Sequence, residues 1–397
     1  MERPFSSGPL RGVTPNLVKL GVVSFLADVS SEMLYPVIPL FMTVTLGAPV
    51  ALLGVIEGIA EGTSSLLKYF SGRWSDRAGK RRSFVIAGYF ASALGRILLA
   101  LSYIWPAALL ARTVDRFGKG LRTSPRDALI SDSVPPEYKG KAFGIHRAMD
   151  TMGAIIGPLI ALALISAADD NLRLVLWLAV LPGIAAAFFL FLVREIGPSG
   201  KAPEAGIRFH DLPRAFRAYL VPVGIFALVN SSDMFLLLKA KDAGFSAAGV
   251  ILLYISYNVI YAAGSPFLGR LSDRVGRKSV LVGGMVVFAL VYTGFALANA
   301  PWHLWALFAV YGLYISATEV VGKAFAADLV PSALRGSAMG ALGLISGIGA
   351  IFASAIGGAL WTAVAPWATF AYGAAGATTA ALLISRLGLY LPEKKSA

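Results

Sequence analysis

Apolar residues along this chain come in runs of about twenty, separated by short polar connections. A run of that length, coiled as a helix, crosses the roughly 30 Å of hydrocarbon in a bilayer. Twelve such spans are predicted. The first six cover about 17–44, 49–71, 83–104, 107–132, 142–166 and 172–194. The second six cover about 217–239, 247–268, 279–299, 302–329, 336–363 and 366–390. Residues 195–216, polar and carrying Gly, Pro and charge, form the longest connection. The pattern therefore predicts an all-α membrane protein with an N-terminal six-helix bundle (1–194), a linker (195–216) and a C-terminal six-helix bundle (217–397).

Composition agrees. Of 397 residues, 57% are hydrophobic and only 14% charged, and mean hydropathy is +0.71. A soluble chain would carry about a quarter charged residues. The net charge of +13 raises nucleic acid as a partner, but the bases sit mainly in short connections on one side of a twelve-span layout. Residues 72–82 and 269–278 hold nine Lys and Arg, whereas the opposite connections near 45–49, 104–107 and 300–302 hold none. That asymmetry is the positive-inside distribution. It puts both termini and the linker in the cytoplasm and excludes nucleic acid as the explanation. The start of the chain has no cleavable-signal pattern, so the first span is expected to direct insertion. Cysteine is absent, and of His146, His210 and His303 only His146 falls near the membrane interior, so neither a disulfide nor a metal site is expected. There is no G-x-x-x-x-G-K-[ST] phosphate loop and no loop long enough for a soluble domain. No cofactor and no ATP-driven pump or other enzyme is expected, and a monomer is.

The two halves repeat each other. GRWSDRAGKRR at residues 72–82 returns as GRLSDRVGRK at 269–278, and Gly269 lies 197 residues beyond Gly72. DSVPPEYKGKAFG, starting at Asp132, returns as DLVPSALRGSAMG, starting at Asp328, 196 residues on. SSEM at residues 30–33 returns as SSDM at 231–234, an offset of 201. Three stretches at nearly one offset indicate duplication, with two bundles related by an axis along the membrane normal.

The paired stretches resemble the signature loop of the major facilitator superfamily, G-x-x-x-D-R-x-G-R/K-R/K between the second and third helices. The resemblance implies a central cavity lined by helices one, four, seven and ten and by parts of two, five, eight and eleven. It also implies transport by rocking of the bundles around a midplane site. Gly72, Asp76, Arg77 and Gly79, with Asp273 and Arg274 in the second copy, are then the cytoplasmic gate. Arg112 and Gly118 resemble the family's fourth-helix motif, R-x-x-q-G-x-g, with Asp115 and Arg116 replacing its Gln and Gly. The fifth span carries Gly153-Ala-Ile-Ile-Gly157-Pro158, similar to the G-x-x-x-G-P-x-x-G run of drug–proton antiporters, with Ala161 at the last Gly.

Ionisable residues inside the spans are the candidate chemistry, because a charge at mid-bilayer costs about 2.5–3.5 kcal/mol even on lenient scales. Asp28 and Glu32 are four apart on the first span and share a face. They read either as a proton-titrating pair or as salt-bridge partners of a base on the fourth or fifth span. Glu61 on the second span is a cavity candidate, while Glu57, nearer the outer end, is expected to reach water. The fourth span carries Arg112, Asp115, Arg116, Lys119, Arg122, Arg126 and Asp127, which fall within about 140° of arc at helical spacing. This stripe either contacts an anionic substrate group or forms a buried ion-pair lattice. His146, Arg147 and Asp150 stand on the fifth span, Asn230 and Asp233 on the seventh, and Asn258 on the eighth. Asp28, Glu32, Glu61 and Asp150 are the proton-coupling candidates; Arg112, Arg116, Arg147, Asn230, Asp233 and Asn258 are the substrate-cavity candidates. Glu319 and Lys323, four apart, are expected to pair, and Trp302, Trp305 and Trp361 to form an interfacial belt.

The expected function is proton-coupled export of a small organic solute across a prokaryotic-type inner (plasma) membrane. Uptake of an anionic metabolite, movement of a metal or its chelate, and a non-transporting membrane receptor or scaffold are the alternatives. If Asp76 latches the cytoplasmic side, Asp76→Asn will lower turnover in a transport assay while leaving substrate affinity nearly unchanged; full turnover would reject the gate.

Overall fold

The computed structural model describes residues 13–135, 139–168, 171–195, 212–298, 300–331 and 334–387. Among these, the regular structure is helical: α1 (Pro15–Leu34), α2 (Ile38–Leu40), α3 (Val50–Ala78), α4 (Arg81–Ala100), α5 (Trp105–Asp132), α6 (Lys139–Ala167), α7 (Leu172–Phe189), α8 (Arg214–Val229), α9 (Met234–Asp242), α10 (Ala247–Val275), α11 (Arg277–Leu297), α12 (Pro301–Asp328), α13 (Arg335–Ala363) and α14 (Pro366–Arg386). Prolines in the first turn open α1, α5, α12 and α14, where a missing N–H costs nothing. Thr14 caps α1, its hydroxyl accepting from the Leu17 amide at 3.3 Å. Ten of the described segments are long and apolar enough to cross a membrane, α8 and α9 counting as one. The remaining two spans are α1, with Lys19, Asp28 and Glu32, and α5, with its eight ionisable residues.

Two predicted spans are broken. The first stops at Leu34: Tyr35 keeps helical backbone (φ −54°, ψ −50°) and its amide still donates to the Ser31 carbonyl, but Pro36 has no N–H to carry the ladder on. The chain resumes as α2 and a π-turn over Phe41–Thr45. The seventh splits at residues 230–233, Asn-Ser-Ser-Asp, whose short polar side chains compete with the helix for backbone partners. Side chains replace the lost bonds: the Ser232 amide donates to Ser354 Oγ at 3.2 Å, the Met234 amide to Ser232 Oγ at 3.3 Å, and the Tyr372 hydroxyl to the Leu228 carbonyl at 2.9 Å. The signature stretches are also more helical than expected. α3 runs to Ala78 and α10 to Val275, so most of each stretch is the last turns of a helix. The turns come at Gly79 (φ +63°) and Gly276 (φ +94°), left-handed conformations that favour glycine.

The chain forms two compact units. One comprises Met1–Ala48, Ile59–Glu204 and Ser246–Leu252; the other comprises Pro49–Gly58, Ala205–Phe245 and Leu253–Ala397. The first turns of α3 belong with the second unit because Gly54 and Gly58 bring their backbone against that of Ser354 and Ile351 on α13, where no Cβ fits. This face buries Glu57, which is 2% exposed and does not reach water as expected. Within the first unit, α1 packs on α6 and α7, and α4 on α5 and α7. The second repeats this with α8 on α13 and α14, and α11 on α12 and α14.

One ionic staple recurs in both. Arg81, opening α4, pairs with Asp132, ending α5; Arg277, opening α11, pairs at 2.9 Å with Asp328, ending α12. The next base ties the same helix to the last of its unit: Arg82 Nη2 donates to the Phe191 carbonyl at 3.0 Å, and Lys278 Nζ to the Ser385 carbonyl at 2.7 Å. The copies differ in burial. The side chains of Arg81 and Asp132 are 10% and 7% exposed, those of Arg277 and Asp328 29% and 54%. Removing one partner from a buried pair strands the other charge and costs about 3–5 kcal/mol, against about 0–1 kcal/mol for a solvated pair. Arg81→Ala is therefore expected to lower stability several-fold more than Arg277→Ala, measured by unfolding of the purified protein in detergent.

Candidate functional site

In the first unit the stripe on α5 turns inward. Arg112, Asp115, Arg116 and Arg122 are each 6% exposed or less, while Phe117 on the other side is 43% exposed. Gly118 permits this, since its missing side chain lets the Gly88 carbonyl and Ser92 of α4 approach. Asp115 lies 3.4 Å from Arg96 Nε of α4 and 3.5 Å from Arg112 Nη1. Arg116 Nε lies 3.2 Å from Glu61 Oε1 of α3. Arg122 donates to Ser92 Oγ at 2.5 Å and stacks over the Tyr89 ring, 4.2 Å from its centre. The stripe is thus an ion-pair lattice spanning α3, α4 and α5. Arg96, its buried counter-ion on α4, was absent from the sequence candidates; a lone base amid an apolar span was the available signal.

A polar line continues from this lattice into α1 and α6. Arg126 holds Asp127 Oδ1 at 2.9 Å and donates to Ser24 Oγ at 3.0 Å. Ser24 Oγ lies 2.8 Å from His146 Nε2, and His146 Nδ1 lies 3.4 Å from Asp150 Oδ2. Asp28 feels the charges of Lys119, Arg126 and Arg122 from α5, of Arg96 from α4 and of Asp150 from α6. Asp28 and Glu32 stand where α1 crosses Gly153 and Gly157 of α6; a Cβ on either glycine would lie 2.9 Å from the acid's own Cβ and 2.7 Å from an α1 carbonyl. Arg147 is exposed, and its charge acts on both His146 and Asp150.

The second unit holds a cavity of about 340 Å³ between α8, α12 and α13. Asn230 and Asp233, from the break between α8 and α9, line it together with Glu319 and Lys323 of α12. Asp233 accepts from two phenols, Tyr311 at 2.6 Å and Tyr257 at 3.1 Å, one on each oxygen. Glu319 accepts from Tyr261 at 2.8 Å and from Lys323 at 3.1 Å, the expected pair. Asn230 Oδ1 is buried with no hydrogen-bond partner among the described residues. Asn258 is not in this wall; its amide donates to the Tyr254 carbonyl of its own helix at 2.9 Å. The tyrosines were missed, although Tyr257 and Tyr261 on one helix and Tyr311 and Tyr314 on another recur at helical spacing near embedded acids. Trp361 is 8% exposed and packs on Phe235 and Phe370, so it is core rather than belt; Trp302 and Trp305 are exposed.

Of the gate candidates, Arg77 and Arg274 are exposed at the ends of α3 and α10, and Gly72 faces Ser124. The side chains of Asp76 and Asp273 lie outside the described residues, as do His210 and most of the linker. Among the described residues no cluster of three or more His, Asp or Glu could hold a metal.

The family model for the Major Facilitator Superfamily matches twice, at residues 20–238 and 223–397. An uncharacterized MFS-type transporter of Methanocaldococcus jannaschii is 36% identical over 381 residues, covering 94% of this chain and 95% of that protein. Multidrug resistance protein MdtH of Salmonella arizonae is 23% identical over 337 residues, covering 81% of this chain and 79% of that one. The crystal structure of a POT family transporter in complex with 5-aminolevulinic acid superposes with a TM-score of 0.81 at 13% identity, over 96% of this chain and 97% of that one, which supports the fold. The chain belongs to the Major Facilitator Superfamily and is a multi-pass membrane transporter, not an enzyme.

Proposed function

We propose that this transporter couples export of a small organic solute to proton entry, by alternating access across a prokaryotic-type plasma membrane with both termini in the cytoplasm. The observation that carries the reading is the line Asp127–Arg126–Ser24–His146–Asp150, with Asp28 beside it. It joins three membrane helices by hydrogen bonds and ion pairs, and its His146 and Asp150 are groups able to take up and release a proton. Embedded ionisable residues of this kind serve as proton relays in pumps and transporters. Asp28 and Asp150 are the coupling acids. Arg126 and Lys119 balance them, so that gaining or losing one proton changes the local charge between helices rather than leaving a bare ion in hydrocarbon. Glu61, held by Arg116, and Glu32 support the same bundle. The 23%-identical MdtH, named as a multidrug resistance protein, is consistent with the direction of export. Asp76 and Asp273 close the cytoplasmic side in this scheme, and the protein works as a monomer of two bundles, 1–194 and 217–397.

Uptake of an anionic metabolite is the second reading, favoured by the excess of bases on α5. The two separate by the direction of proton flow. In inverted vesicles with an acidic lumen, an exported solute will drive protons out and restore the fluorescence of a trapped pH-sensitive acridine. Symport into right-side-out liposomes will instead alkalinise the medium. Asp28→Asn and Asp150→Asn are each expected to abolish the proton signal to the level of empty vesicles while leaving solute counterflow intact. An unchanged proton signal in both variants would overturn the coupling assignment.

A further inference from the structure

The cavity of the second unit has a chemical bias that the export reading does not use. Its polar wall carries two carboxyl groups and one base. Asp233 and Glu319 are carboxyl groups, and Asn230 presents a buried oxygen with no hydrogen-bond partner among the described residues. α8 ends there at Asn230 with its carbonyl end and α9 opens at Asp233 with its amide end, so the two helix dipoles offset each other at this wall and the side chains set its charge. The single base in the lining, Lys323, is engaged by Glu319 at 3.1 Å. Asp233 is left with no base in the wall, and its two phenols occupy about two of the four lone-pair directions of a carboxylate. Tyr219, Phe226, Tyr311 and Tyr314 add aromatic surface, and aromatic ring faces attract cations. Met285 and Leu342 complete an apolar remainder.

An anion would face the carboxyl groups of Asp233 and Glu319, while Lys323, the one base of the lining, is already held by Glu319. A neutral polyol would satisfy Asn230 but leave the carboxyl of Asp233 and the aromatic faces without a charge to answer. A single ammonium on an apolar body meets all of these demands, and a cavity of about 340 Å³ is the size of an ordinary small-molecule site. We propose that this cavity is the binding site for an amphiphilic organic monocation, its ammonium held by Asp233 and Asn230 and its apolar body seated against Tyr311, Tyr314 and Phe226. The break at residues 230–233 serves recognition, since it brings a helix end, an amide and a carboxyl to one wall without exposing unpaired backbone to lipid. The inference rests on the export reading only in naming the class of solute; the site itself lies in the second unit, apart from the coupling acids of the first.

Three isosteric probes test it on the purified full-length protein in detergent at neutral pH: 2-phenylethylamine, 2-phenylethanol and phenylacetate. Titration calorimetry is expected to show the amine binding at least about tenfold more tightly than the alcohol, the worth of one charge-assisted contact, and phenylacetate not binding. Asp233→Asn should lose that preference, and Asn230→Ala, which keeps the carboxyl, should weaken the amine alone; circular dichroism checks that both fold. No binding of the amine, equal binding of the alcohol, preference for phenylacetate, or amine binding unchanged by Asp233→Asn would each overturn the proposal. The two readings fail separately. Amine binding without proton-coupled flux would sink the coupling and keep the site, and proton-coupled flux of solutes without amine binding would do the reverse.

Discussion

Asp115 stands between Arg96 and Arg112 in helices that cross hydrocarbon, and much of the first unit follows from that arrangement. A charge without a counter-ion in such a place costs several kcal/mol, and two matched charges cost far less. The lattice therefore dictates which face of α5 turns inward, how closely α4 approaches it at Gly88 and Gly118, and why α3 lies with Glu61 toward Arg116. Apolar packing cannot supply such direction in a membrane, because lipid tails satisfy Leu and Val as well as another helix does. Phe117 faces outward for that reason, and the bases on the same helix do not.

The second unit solves a related problem differently. Its embedded acids are held mostly by phenols rather than guanidinium groups: Tyr257 and Tyr311 on Asp233, Tyr261 on Glu319 with the help of Lys323. A phenol supplies one donor and a wide apolar ring, so the acids of the second unit sit in aromatic surroundings beside its cavity, where those of the first unit sit among guanidinium groups. The duplicated tetrads make the same contrast locally. SSEM lies inside the unbroken α1, where Ser30 donates to the Ala179 carbonyl. SSDM is unwound, because Ser354 and Tyr372 receive the backbone groups that a helix would have used. Similar words in the sequence thus carry opposite backbone conformations, according to what the neighbouring helices offer.

The order and number of spans were legible, since runs of about twenty apolar residues have no alternative use in a chain this poor in charge. The repeated signature stretch was legible as well, and its turns come at Gly79 and Gly276, which only glycine accommodates readily. The inward face of α5 could be read from helical spacing alone, because seven charges on about 140° of arc must avoid lipid together. The burial of Glu57 and of Trp361 could not be read, because exposure near a helix end depends on whether another helix crosses there.

By itself the sequence determined that the chain crosses the membrane as duplicated helices and which residues would be costly to leave unpaired. Composition and periodicity are local, and transfer from water to hydrocarbon depends on each side chain's own chemistry. Only the tertiary structure decided the pairing: that Arg96 answers Asp115, that His146 joins Ser24 to Asp150, and that tyrosines from α10 and α12 close on the break after Asn230. Those choices depend on distances of a few ångströms between helices far apart in the chain, and no spacing along one helix encodes them.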